Sequence, residues 1–159
     1  MKINIVCIGK IKEKYLNLGI DEFLKRLKPY AKINIIEKSE SKINDNPSTA
    51  QIQQVIDIEG QSILKEIKND DFVILLDLHG KMIDNYEYVN LIEKAMVQGF
   101  STFTFVIGGS YGVSPELRNR ANFKWAFSKL TFTHQMIRLL LLEQIYRGFR
   151  IKNNEPYHK

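Results

Sequence analysis

Phe72-Val73-Ile74-Leu75-Leu76-Asp77-Leu78 is apolar at every position except Asp77. A strand with one face in water alternates between apolar and polar residues. A run this continuous predicts a central strand covered on both faces, as in a parallel sheet between helical layers. Working outward, the apolar spacing changes period again and again. Upstream, Ile3, Ile5, Val6 and Ile8 read as a strand that Gly9 ends. Leu16, Ile20, Phe23, Leu24 and Leu27 then recur at helical spacing up to Pro29. Ile33, Ile35 and Ile36 give a second strand, and the Ser-, Asn- and Lys-rich stretch 38–48 a loop. Ser48 with Gln51 forms a capping box ahead of Ile52, Val55, Ile56, Ile63 and Ile67.

Downstream, His79-Gly80-Lys81 reads as a turn, and Asp84 with Glu87 as a second capping box. The helix that follows stops at Gly99. Thr102–Ile107 is the next strand, and Ser114-Pro115 supplies an N-cap with proline at the first helical position. Phe123–Ser128 reads as a fifth strand and Gln135–Phe149 as a long apolar helix before a polar tail. The expected fold is α/β: a mainly parallel sheet with helices on both faces, in a single domain over 1–159.

Composition narrows the function classes. The chain has 159 residues, 44% hydrophobic, with seventeen aromatics and one cysteine. One Cys allows neither an internal disulfide nor a cysteine-based zinc site, so a reducing compartment is expected. No apolar run approaches the ~20 residues of a membrane span. The first residues pass straight into a strand pattern, so a cytoplasmic protein is expected. The net charge of +5 is uneven. Residues 1–30 carry seven Lys/Arg against three acids, 31–117 seven against thirteen, and 118–159 nine against two. Basic ends around an acidic middle suit a polyanion such as RNA if the ends meet in space, although ordinary surface fluctuation explains them equally well.

Phe105-Val106-Ile107-Gly108-Gly109-Ser110-Tyr111-Gly112 is the most informative local feature. Strand, glycine turn and helix start together expose bare backbone N–H groups to a ligand. A dinucleotide fingerprint fails, because the spacing is wrong and no ribose-binding acid follows. Gly108-x-Ser110-x-Gly112 satisfies a nucleophile elbow, but no Asp follows Asp84, so a serine hydrolase using Ser110 ranks last. A loop for an adenosine-like ligand ranks first, and a plain tight turn second. His134 at a helix start suits a neutral, hydrogen-bonded ring better than catalysis. Arg138, one turn on in an apolar helix, needs an anionic or carbonyl partner, either a structural acid or an RNA phosphate. A terminal Tyr157-His158-Lys159 is ordinarily a frayed end.

Several stretches carry more than pattern. They are Ile5-Val6-Cys7-Ile8-Gly9-Lys10-Ile11-Lys12, Phe105–Ser110, Leu130-Thr131-Phe132-x-His134-Gln135, Glu143-Gln144-x-Tyr146-Arg147 and Pro156-Tyr157-His158-Lys159. With them the whole chain resembles the ribosomal RNA large-subunit methyltransferase H family, small pseudouridine N3-methyltransferases of the SPOUT class. The resemblance implies a C-terminal trefoil knot, a homodimer, and S-adenosyl-L-methionine as cofactor with no metal. Its implied substrate is large-subunit ribosomal RNA, methylated at N3 of a pseudouridine in the assembled ribosome. It also implies a cofactor pocket of Leu76, Gly108, Gly109, Phe127, Ser128, Lys129, Leu130, Thr131 and Phe132. Tyr157 and His158 become catalytic candidates on a tail that completes the site near the dimer interface. Arg138 becomes a contact for RNA or the cofactor carboxylate. Thr133 stands where the family commonly has proline, and Asn154 where it commonly has glycine. The non-enzymatic alternative is an RNA-binding module that uses only the basic ends.

Overall fold

A computed structural model describes residues 1–158. The chain runs β1 (Lys2–Ile8), α1 (Lys14–Leu27), β2 (Lys32–Lys38), α2 (Thr49–Leu64), β3 (Phe72–Lys81), α3 (Asn85–Val97), β4 (Thr102–Ile107), α4 (Pro115–Arg120), β5 (Phe123–Trp125) and α5 (Met136–Lys152). All strand pairings are parallel, in the order β2-β1-β4-β3-β5. The strand period of two divides the core cleanly. Ile3, Ile5 and Cys7 of β1, with Phe103 and Phe105 of β4, face α1, α3 and α5. Val6, Ile8, Val73, Leu75 and Val106 face the other way, onto Ile63 of α2 and Leu117 of α4. Each such fully buried side chain contributes roughly 1.5–3 kcal/mol of hydrophobic stabilisation.

Local helix signals act where their residues stand. Ser48 Oγ accepts from Gln51 N–H and Gln51 Oε1 from Ser48 N–H. Asp84 and Glu87 exchange the same two bonds, and Ser114 Oγ accepts the Leu117 N–H. Thr133 has a local role as well: its Oγ1 accepts the Met136 N–H at 3.2 Å. Asn154 holds φ +53°, a left-handed conformation that asparagine tolerates better than most residues.

Three boundaries differ from expectation. His79-Gly80-Lys81 is not a turn; β3 continues through it with an irregularity and pairs again at Lys81 with Trp125. Gly80 permits this, because a Cβ there would lie 2.6 Å from the Lys124 backbone. Second, β5 ends at Trp125 rather than Ser128. Third, α5 spans Met136–Lys152 rather than 135–149.

Arg138 has a structural post, which corrects its assignment as an RNA or cofactor contact. Its side chain is 1% exposed, and its terminal nitrogens donate to Ile8 O (2.7 Å), Gly9 O (2.8 Å) and Glu37 Oε1 (2.9 Å). It pins α5 to the carboxyl end of β1, leaving no guanidinium face for an outside anion. Arg138→Met is expected to cost about 3 kcal/mol in urea unfolding, since the two carbonyls would lose their donor inside the protein. Arg138→Lys should recover less than half, because a single ammonium nitrogen cannot occupy the places of both Nη1 and Nη2.

Candidate active site

The carboxyl ends of β3, β4 and β5 and the segment 126–137 enclose a cleft of about 800 Å³. That is the position where parallel α/β sheets present their ligand loops, and the size suits a small organic molecule. The cleft gathers residues far apart in sequence. Leu76, Gly108, Gly109, Phe127, Ser128, Leu130, Thr131 and Phe132 all line it. Lys129 does not; its side chain is exposed outside. His134, Gln135, His79 and Tyr111 line it as well.

The glycine turn is tight for internal reasons. Gly112 has φ +108°, and its N–H bonds Gly109 O at 3.2 Å. Gly108 is not at positive φ. A Cβ there would run into Val113 Cγ1 and sit 3.2 Å from Gly112 O. At Gly109 a Cβ would meet the carboxylate of Glu59, which lies buried behind the turn and also accepts the Ser41 N–H at 2.9 Å. Burial, chiefly, pushes the Glu59 carboxyl above its usual range.

One ion pair faces the cleft. Asp77, the lone polar residue of the run Phe72–Leu78, accepts from Arg118 Nε at 2.9 Å and from the His79 N–H at 3.1 Å. Burial alone would raise its pKa; the guanidinium and the N–H outweigh it and hold the carboxyl below the ordinary value. Ser110 lines the same cleft, yet among the described residues no histidine or carboxylate hydrogen-bonds it. Glu116, the nearest acid in sequence, is bonded to Gln61 instead. The elbow has no relay.

A family model described as "Predicted SPOUT methyltransferase" matches residues 1–158. The chain belongs to the SPOUT methyltransferase family. It is 53% identical over 159 residues, all of both chains, to the ribosomal RNA large subunit methyltransferase H of Clostridium botulinum strain Langeland. The proteins of the same name from Halothermothrix orenii and Clostridium tetani are 49% and 50% identical, again over the full length of both chains. This chain is therefore a ribosomal RNA methyltransferase, an activity that needs a methyl donor.

In this SPOUT methyltransferase Tyr157 and His158 are packed, not frayed, but they do not line the cleft. Tyr157 OH donates to Glu143 Oε1 at 3.0 Å, and Arg147 lies 4.8 Å from the Tyr157 ring centre. Arg147 also reaches His158 Nδ1 at 3.2 Å and pairs with Glu143. Tyr86 of α3 meets the His158 ring edge-on. Ile137, which lines the cleft, and Arg147 are ten residues apart on α5, roughly 15 Å along the axis. Sequence reading gives no role to Glu143 and Arg147, although their spacing of four puts them on one helical face. It misses Asp77 and Arg118 for a different reason: their pairing crosses from β3 to α4.

The turn makes a testable pair. Gly108→Ala should lower the thermal midpoint, and adding Val113→Ala should restore part of the loss, a coupling on the order of 1 kcal/mol. Simple additivity in thermal or urea unfolding would mean that Val113 is not what Gly108 makes room for.

Proposed function

We propose that the chain methylates N3 of a pseudouridine in large-subunit ribosomal RNA, in the assembled ribosome, using S-adenosyl-L-methionine. The observation that carries the reading is the convergence in one cleft of eight of the nine residues that the family resemblance implies for cofactor binding. It is supported by relatives of the same length named ribosomal RNA large subunit methyltransferase H. The cleft fits the cofactor's chemistry: apolar walls from Leu76, Phe127 and Phe132, exposed turn backbone, and the single Asp77–Arg118 pair. When bound, the cofactor supplies a methyl group that passes in line from sulfur to the acceptor nitrogen, the electron pair of the breaking bond staying on sulfur.

The working unit in this reading is a homodimer of one-domain, knotted chains in the cytoplasm. Within one chain the tail residues stay clear of the cleft, so a second copy brings its tail to the cleft mouth. Leu130 and Leu78 of the cleft lining are 71% and 54% exposed, apolar surface that a second copy would cover.

The tail cluster binds and orients the base. Arg147 can only donate, so His158 Nδ1 accepts, and the ring proton sits on Nε2. His158 thus offers a donor to a base carbonyl rather than a site for an incoming proton. Burial, then the bond to Glu143, pushes the Tyr157 phenol up, so its hydroxyl stays a donor as well. The imide proton leaves to water, and Arg147 holds the resulting anion beside the tail. Exposed Lys10 and Lys12 contact RNA phosphates; the Lys12 N–H bonds Gln135, a residue of the cleft lining, so this loop adjoins the cleft.

Removing residues 157–159 should lower the thermal midpoint by a few degrees, through loss of the Tyr157 and His158 contacts, yet leave the chain folded and reduce methyl transfer ~100-fold or more, measured with labelled cofactor and methylation-deficient ribosomes. Wild-type turnover would take Tyr157 and His158 out of the site. Arg147→Gln should move the rising limb of the rate–pH profile to higher pH, because the imide would ionise without its cation. Ser110→Ala should stay within a few-fold of wild type, whereas loss of all activity would restore a chemical role for that hydroxyl. Lys10→Glu with Lys12→Glu should weaken ribosome binding and flatten its salt dependence at unchanged cofactor affinity.

A further inference from the structure

Just beyond α5 the chain reverses. Asn154, at φ +53°, lets the Glu155 N–H return to Arg150 O at 2.8 Å and the Asn154 N–H to Ile151 O at 3.0 Å. The returning segment meets a residue from the far side of the sequence. Tyr30, between α1 and β2, stacks on Phe149 at 5.3 Å and donates its hydroxyl to Glu155 Oε2. Arg150 closes the triangle: Nη1 donates to Tyr30 OH at 3.0 Å and lies 2.8 Å from Glu155 Oε2, while Nη2 reaches Pro156 O at 3.3 Å. All three side chains are half-buried, where such bonds are less exposed to competing water.

We infer that Tyr30, Arg150 and Glu155 form a clasp that sets the direction of the last three residues, and are positioning residues for methyl transfer. The inference rests on the proposed role of the tail. Its physical basis is geometric. Only one residue, Pro156, separates Glu155 from Tyr157, so fixing the Glu155 carboxylate and the Pro156 carbonyl leaves the Tyr157 ring little freedom. The ring then falls between Tyr146, at 4.9 Å, and the Arg147 guanidinium, with its hydroxyl on Glu143. Without the clasp, a tail this short and polar would sample many directions, and its two rings would seldom stand together. The Tyr30 hydroxyl is held in its donating form, its pKa raised chiefly by the bond to Glu155.

Tyr30→Phe removes one hydroxyl and keeps the ring on Phe149, so it tests the clasp with little risk to the fold; Glu155→Ala removes the acceptor. Each should lower kcat ~10-fold or more on ribosomes, with cofactor Kd and thermal midpoint close to wild type. Each should also speed removal of the final residues by carboxypeptidase, a readout independent of activity. Glu155→Gln, which keeps an acceptor for Tyr30, should recover part of the kcat. In a chain lacking residues 157–159, Tyr30→Phe should cost nothing further. Wild-type kcat and wild-type trimming in both clasp variants, alongside an inactive truncated chain, would overturn the clasp and leave the tail's role standing. A fully active truncated chain would overturn the tail's role, and the clasp's part in catalysis with it.

Discussion

One guanidinium fixes the relation between the beginning and the end of this chain. Arg138, three residues into α5, reaches the last carbonyls of β1 and the carboxylate of Glu37, partners 101 to 130 residues away in sequence. In a low-dielectric interior such charge-assisted bonds are strong and directional, and leaving their acceptors unpaired is costly. The segment 126–135, one wall of the cleft, hangs between β5 and this anchor. A wall tied at both ends keeps its shape without regular secondary structure of its own. The arrangement leaves Arg138 Nε buried without a partner; Arg150 Nε is the other such atom among the described residues. In both, the terminal nitrogens serve carbonyls and an acid, and the geometry that satisfies them leaves Nε behind.

The two ends of the sheet divide the work. At the amino end a polar chain crosses three strands: Asn34 donates to Asn4, Asn4 to Thr104, and Thr104 to Asp71. Every link is made, and the chain helps fix the register of β2, β1 and β4 inside an otherwise apolar layer. The carboxyl end carries the glycine turn, the Asp77–Arg118 pair and the wall that Arg138 holds. Strand direction thus assigns one edge to stability and the other to a ligand, as parallel sheets in general do.

What could be read from sequence follows the range of the interactions. Capping by Ser48, Asp84 and Ser114 spans three residues, and each cap stands where the pattern put it. The two-faced strands and the parallel sheet follow from a period of two and from continuous apolar runs. The glycine turn was visible, but the reason for Gly108 was not, since Val113 meets it only in the folded loop. The extension of β3 past Gly80 depends on the backbone of Lys124, 44 positions on, which no local pattern encodes. Arg138 showed its need for a partner; its identity lay more than a hundred residues away. Tyr30 and Glu155 gave no signal, being an ordinary loop tyrosine and an ordinary tail acid until the fold joins them.

The charge count also changes meaning in three dimensions. The basic C-terminal third looks like a polyanion footprint, yet all five of its arginines have internal acceptors. Arg118 serves Asp77, Arg120 the Lys68 and Asp71 carbonyls, Arg138 the end of β1, Arg147 Glu143, and Arg150 the clasp. The planar, multi-donor guanidinium is used where geometry has to be held. Charge left to face solvent is mostly lysine: Lys10, Lys12, Lys124 and Lys129 are exposed. A lysine ammonium on a flexible stem suits phosphates whose positions vary, and it adds attraction without specifying register. The arginines hold shape inside the fold, and the lysines leave positive charge free on its surface.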